Sequence, residues 1–203
     1  MRRGFKTEAK KFAIEVRAEL GLDEFSPFDP YELAREYGIP VFKLSELGKD
    51  PDARCAAAHY TNGRLAKFSA ALVPWGEGRF ILENDAHSRK SRHNSISHEM
   101  SHLLREHPFQ EVVLAVDGCR SFSKELEDEA DCQAGELLIP HAAALRAAEL
   151  DWSDDQVAEF YDVSVPLARM RMNFSGARKV IANKRSFRQR IAQGWSARSD
   201  RQG

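Results

Sequence analysis

The sequence predicts a mostly helical α+β protein with a small antiparallel sheet in its first half and a short helical region at its end. Much of the chain carries apolar residues three and four positions apart between capping residues, which is typical of amphipathic helices. Short runs that resemble strands occur between residues 39 and 83. A length of 203 residues suits one domain, or one domain with a small appendage. We therefore predict a main domain over residues 1–150 and a helical segment with a basic tail over residues 151–203.

Two helices are predicted near the start of the chain. Thr7 can cap a helix over residues 8–20. Asp29 and Pro30 form a capping residue followed by proline at the first helical position, which predicts a second helix that stops at Gly38.

The strands of the sheet are predicted between these helices and residue 83. Residues 39–44 form the first strand. Asn62-Gly63 predicts a hairpin between residues 56–60 and residues 65–68. Residues 80–83 form a further strand, which we expect to be an edge that could pair with an extended peptide.

The second half of the chain is predicted to be helical. The predicted helices cover residues 124–138, 142–150, 154–161 and 166–174. Asp151 or Ser153 can cap the third of these, and Ser164 can cap the fourth. The turn between the last two has the length found in a helix-turn-helix. The remainder is predicted to be a basic segment that is loosely ordered at its end.

The charge of the chain is unevenly distributed. The whole chain has a net charge of −1, but residues 163–203 contain ten lysines and arginines against a single acid, Asp200. The basic residues that define this region are Arg169, Arg171, Arg178, Lys179, Lys184, Arg185, Arg188 and Arg190. Such a region either binds an anionic partner, with nonspecific DNA contact as one possibility, or docks on the acidic remainder of the protein.

The cysteines and the apolar segments indicate the compartment. Cys55, Cys119 and Cys132 are too few and too scattered for a disulfide framework, so we expect reduced thiols. No apolar run of a signal peptide follows the N-terminal residues, and no segment is apolar enough to cross a membrane. We expect a cytoplasmic protein that makes no membrane contact.

Residues 93–107 contain the pattern H-E-x-x-H at His98, Glu99 and His102. On a helix the two histidines lie one turn apart on the same face, where both imidazoles can bind one small cation. Glu99 would then serve as the general base for a water molecule. A single apolar stripe, made of Ile96, Met100, Leu103 and Leu104, supports the helix. Asn94 or Ser95 could cap its start, and Pro108 would end it.

A third ligand is predicted on the helix at residues 124–138. Glu127 and Asp131 are four residues apart and share a face, so Glu127 can complete a three-ligand site while Asp131 orients a metal-bound histidine. Glu129 points about 200° away from Glu127 and is the alternative ligand. The ligand set predicts one Zn²⁺ ion, although Mn²⁺ or another divalent ion could substitute. The nearby His87, His93 and His107 are expected at the surface or around the site, without binding the ion.

The chain resembles the ImmA/IrrE family of metallo-endopeptidases, which are gluzincin-like zinc peptidases. The resemblance is carried by D-P-Y-E-L-A-R-E-Y-G-I-P-V, R-F-I-L-E-N, S-H-E-M-S-H-L-L and L-E-D-E-A-D-C-Q-A-G-E-L-L-I-P, of which the last two are specific. It implies a zincin-like fold over the main domain, and its E-x-x-A-D pattern supports Glu127 as the third ligand. Two positions depart from the family pattern. Ser101 stands where glycine is usual and Gln133 where phenylalanine is usual, so packing near the second ligand helix is expected to differ.

The resemblance also implies a function. Similar peptidases cleave a transcriptional repressor with a helix-turn-helix domain and thereby relieve repression of mobile-element or stress genes. The alternative from the residues themselves is a DNA-binding regulatory protein that uses the basic C-terminal region, with a zinc site that is structural or non-proteolytic.

Overall fold

The computed structural model describes residues 1–47, 68–107 and 124–199, with side chains described as far as Ile191. This part of the chain is an α+β fold, as predicted, in which helices surround one small sheet. Its elements are α1 (Phe5–Glu19), α2 (Pro30–Glu36), β1 (Val41–Lys43), α3 (Leu44–Leu47), β2 (Ala70–Trp75), β3 (Gly78–Glu83), α4 (Arg89–Leu104), α5 (Lys124–Leu138), α6 (His141–Glu149), α7 (Asp154–Phe160), α8 (Val165–Ser175) and α9 (Ala177–Ser199).

Several helix boundaries follow the predicted capping residues. The Asp29 side chain accepts a hydrogen bond from the Tyr31 N–H at the start of α2. Ser153 forms a capping box at α7, and Ser164 caps α8. Because these bonds satisfy N–H groups that would otherwise lack a partner, they fix where each helix begins.

Two helices begin earlier than predicted. α1 starts at Phe5, after Gly4 in the left-handed conformation (φ 88°), and not at Glu8. α4 starts at Arg89, because the side chain of Ser88 accepts a hydrogen bond from the Ser91 N–H. The predicted caps Asn94 and Ser95 therefore lie inside α4.

The sheet is mixed, whereas we predicted an antiparallel one. Its strand order is β1-β3-β2, with β1 parallel and β2 antiparallel to β3. The long connection between β1 and β3 allows the parallel pairing, which a tight hairpin could not. β2 was not among the predicted strands; it contains Pro74, which a sheet tolerates in an edge strand. The hairpin predicted around Asn62-Gly63 lies outside the described residues.

One apolar core joins both halves of the described chain. It contains Leu72 and Ile96 from the first half together with Leu137, Val157 and Leu167 from the second. α4 packs against α2, α5, β2 and β3, and α5 also packs against α1. α4 is therefore held on several sides before any metal is considered. Nothing here tests the domain boundary at residue 150, which stays a prediction.

The basic C-terminal segment forms a helix as far as Ser199, and the loose order that we predicted for its end concerns residues outside the described part. α9 follows α8 after Gly176 and runs for 23 residues. Its composition is rich in alanine, lysine, arginine and glutamine, which favour helices. Ala177 and Ile181 anchor its first turns in the core. None of the helices in the described part of the chain combines the length and apolar character of a membrane span.

A buried ion pair links α5 to α8. The Arg171 guanidinium lies 2.8 Å from the Glu136 carboxylate, and both residues are nearly inaccessible to solvent. Arg171 also donates to the Ile139 carbonyl, while Glu136 accepts from the His141 N–H. Each charge therefore depends on the other for its compensation in the interior.

Replacing Arg171 with methionine is expected to lower the free energy of unfolding by about 3–5 kcal/mol, because Glu136 would stay buried without its cation. The matched control is Arg169→Met on the same helix, where Arg169 pairs with Asp154 at the surface. That change should have a much smaller effect, since exposed pairs contribute little. Urea denaturation of both variants measures the difference, and equal losses would contradict this role of the buried pair.

Candidate metal centre

α4 presents two histidines toward one point. His98 and His102 lie one turn apart, with their Nε2 atoms 3.1 Å from each other. Ile96 and Met100 are completely buried on the opposite side of the helix, which fixes its rotation about its own axis. His102 is 1% exposed and His98 20%, so the pair lies at the edge of the core.

α5 adds a carboxylate to the same point. Glu127 Oε2 lies 3.1 Å from His98 Nε2, and Glu127 Oε1 lies 3.7 Å from His102 Nε2. One ligand atom of each of the three residues lies within 4.8 Å of the other two. Ligand atoms around a tetrahedral zinc ion are about 3.4 Å apart when the bonds are about 2.1 Å long. Two imidazoles and a carboxylate at these separations could hold one divalent ion.

The remaining carboxylates of α5 have different surroundings. Asp131 Oδ1 lies 2.8 Å from His98 Nδ1, the nitrogen that faces away from the cluster, which is the position we predicted for an orienting group. Glu129 is buried on another side of α5, where it accepts a hydrogen bond from the Arg2 N–H. Thus Glu127, and not Glu129, joins the histidines.

The electrostatics of the metal-free cluster favour a cation. Burial by itself would lower the pKa of His98, but its hydrogen bonds with Asp131 and Glu127 outweigh burial and raise the pKa to about 10. Hydrogen bonds from His102 and His98 hold the pKa of the Glu127 carboxyl far below its usual range. A proton on the imidazoles occupies the place that a divalent ion would take, so metal binding must displace it.

Glu99 lies between the two histidines in sequence and is held by the sheet. Its Oε2 accepts a hydrogen bond of 2.7 Å from the backbone N–H of Leu72 in β2, and the side chain is 7% exposed. Leu72 pairs with Ile81, whose own N–H is bonded to Pro40 on the β1 side. The Leu72 N–H therefore points away from β3, along the outer edge of β2.

The strand next to the site is β2, which corrects our expectation for the strand at Phe80. β3, which contains Phe80, is the central strand of the described sheet, because β1 and β2 occupy its two sides. Its backbone is thus unavailable to a peptide. In the described sheet β2 is an edge, and it approaches α4 at Glu99.

Both departures from the family pattern have a structural explanation. The Ser101 hydroxyl donates to the Ser97 carbonyl one turn earlier, which satisfies it inside the core. The Gln133 side-chain oxygen accepts from the guanidinium of Arg105, just beyond the end of α4. Gln133 thereby replaces apolar packing with a polar link between α4 and α5.

His107 is a neighbour of the cluster whose contact the sequence did not reveal. Its Nδ1 lies 2.9 Å from His102 Nδ1, and its side chain is 5% exposed. Burial, and then the adjacent His102, lower the pKa of the His107 imidazole. The only signal in the sequence was its position five residues after His102, which does not specify a side-chain contact.

Glu127→Gln is expected to weaken binding of zinc to the metal-free protein by more than about 100-fold, because removal of groups that only orient ligands already weakens binding by about 10–100-fold. Chelator competition measures the affinity. Glu125→Gln is the control, since Glu125 lies on the same helix and is exposed outside the cluster. Wild-type affinity in Glu127→Gln would rule out this carboxylate as a ligand.

The comparisons with known proteins agree with this geometry. Residues 32–173 match the family model of peptidase M78, described as the IrrE N-terminal-like domain. No curated protein and no solved structure gives a significant match to the chain. The matched segment covers most of the chain and contains the described histidines and Glu127. The chain belongs to the IrrE N-terminal-like (peptidase M78) family of metallopeptidases.

Proposed function

We propose that this protein is a zinc-dependent endopeptidase that acts in the cytoplasm. The observation that carries the proposal is the convergence of His98, His102 and Glu127, with Glu99 beside the two imidazoles on α4. A closed structural site would have four protein ligands, whereas the described residues supply three to this cluster, and Glu127 is 40% exposed. The cluster can therefore admit a further molecule.

The proposed substrate is a transcriptional repressor with a helix-turn-helix domain, whose cleavage would relieve repression of mobile-element or stress genes. Support for this substrate comes from the resemblance to ImmA/IrrE peptidases. The geometry supports peptide substrates more generally, because in the described sheet β2 is an edge strand that approaches the cluster at Glu99.

The proposed roles follow from the positions of the side chains. His98, His102 and Glu127 would hold the divalent ion, which when bound supplies Lewis-acid chemistry to water and to the carbonyl of the peptide bond. Asp131 holds the His98 ring through Nδ1, which leaves Nε2 directed into the cluster. Manganese or another divalent ion could substitute for zinc with this ligand set.

Glu99 is the proposed general base and acid. Its carboxylate would take a proton from the attacking water and deliver it to the leaving amine of the cleaved bond. The Leu72 N–H donates to Oε2, and this hydrogen bond helps to orient the carboxylate. An oriented base needs less reorganisation during the reaction than a mobile one.

Glu99→Gln should reduce repressor cleavage by about 10²–10⁴-fold, because the amide cannot accept the proton, while zinc binding is retained. The test co-expresses the protein with the helix-turn-helix repressor encoded nearest to it and follows the fragments by mass spectrometry. Glu106→Gln, at an exposed position after α4, is the control. Undiminished cleavage by Glu99→Gln would refute the proposed mechanism.

We also infer a second candidate role, nonspecific contact of α9 with duplex DNA. Four of the eight basic residues that suggested it are engaged within the protein: Arg169 and Arg178 with Asp154, Arg171 with Glu136, and Arg185 with Asp151. These ion pairs support the alternative in which the basic region docks on acidic side chains of the protein itself. Because Arg171 is buried, α8 is poorly suited to serve as a sequence-reading helix.

The outer part of α9 is the surface available for such contact. Ala177, Ile181, Lys184 and Arg188 share one helical face, of which the first two are buried and the last two exposed. The helix thus extends beyond the core with its basic residues outward. Within the described residues, Lys184 and Arg188 form no ion pair, so both remain available to phosphates.

Lys184→Gln combined with Arg188→Gln is expected to weaken retention on duplex DNA and to reduce the slope of log affinity against log salt by about 2, since each phosphate contact contributes about 0.9. Fluorescence anisotropy at several salt concentrations measures both quantities. Lys10→Gln combined with Lys11→Gln on α1 removes the same charge elsewhere. DNA binding that responds equally to both double variants would argue against a specific role for α9.

A further inference from the structure

A second line of buried groups extends from the cluster at His102. His102 Nδ1 lies 2.9 Å from His107 Nδ1. On the far side of the His107 ring, Nε2 lies 3.9 Å from Glu129 Oε2. Glu129 Oε1 in turn accepts from the Arg2 N–H at 3.1 Å and lies 3.5 Å from Arg2 Nε. His107, just after α4, and Glu129, on α5, thus lie in series behind the candidate ligand His102.

The chemistry of imidazole determines which nitrogen donates and which accepts in this series of side chains. If His102 uses Nε2 to bind a cation, its proton must be on Nδ1, and that N–H needs an acceptor. His107 Nδ1 is within hydrogen-bond distance and can accept only if the His107 proton is on Nε2. That proton then faces the Glu129 carboxylate, so each group in the series determines the tautomer of the one before it.

We propose that His107, whose Nε2 faces the Glu129 carboxylate, is a positioning residue that fixes the ring and the tautomer of His102 for metal binding. This inference rests on the proposed metal site and extends it. His98 and His102 would then be oriented by different groups: an exposed carboxylate, Asp131, for the first, and a buried imidazole backed by a carboxylate for the second.

The burial of His102 and His107 makes the contact between them important for the orientation of the His102 ring. His102 is 1% exposed and His107 5%, so water has little access to the His102 N–H if His107 is removed. Loss of the acceptor that lies 2.9 Å from Nδ1 would weaken the restraint on the His102 imidazole, which could then turn or move its proton to Nε2. Either change would direct a hydrogen atom, in place of a lone pair, at the ion.

Two substitutions of similar size separate this role from simple packing. In His107→Asn the amide oxygen stands near the position of Nδ1 and can accept, whereas His107→Leu fills the space with an apolar group. We expect zinc affinity of the metal-free protein to fall by about 10–100-fold in His107→Leu and to be largely restored in His107→Asn. His87→Leu is the control: His87 does not belong to this series of side chains, so the zinc affinity should stay unchanged.

A measurement on the wild-type protein tests the same inference without a variant that must fold. In the zinc-loaded protein with ¹⁵N-labelled histidines, the proton should be on Nδ1 of His102 and on Nε2 of His107. A His107 proton on Nδ1, or equal zinc affinity in His107→Leu and wild type, would overturn the proposal. Failure of the wild type to bind any divalent ion would instead refute the proposed metal site itself.

Discussion

The contact between α4 and α5 is the constraint on which the candidate site depends. His98 and His102 are brought together by one turn of helix, which is a local consequence of their spacing. Glu127 arrives from a separate helix and reaches them only because the buried faces of α4 and α5 meet in the same core. The geometry of the cluster therefore depends on the packing of α4 against α5.

Polar links reinforce this interface at its ends. Arg105, just after α4, donates to Gln133 on α5 and to Glu8 on α1, and its guanidinium lies over the rings of Phe5 and Phe12. One planar cation thus links the end of α4 to both α5 and α1. Its forked donors suit this role better than a lysine ammonium would.

The sequence predicted features that depend on local spacing. The ends of α5, the caps of α2, α7 and α8, and the shared face of Glu127 and Asp131 all follow from helical periodicity and from capping chemistry. Strand pairing is nonlocal, and nothing in residues 39–44 determines whether they run parallel or antiparallel to β3. The contact of His107 with His102 could not be predicted either, because it depends on how the chain turns after α4 ends.

The hydrogen bond from the Leu72 N–H to Glu99 limits how a further strand could pair with β2. The donor lies on the outer edge of β2, where an added strand would seek its own partner. One N–H cannot donate at full strength to a carboxylate and to a second backbone carbonyl. Restraint of Glu99 and strand addition at Leu72 are therefore alternatives. A peptide that paired with the backbone at this residue would therefore compete with Glu99 for the Leu72 N–H.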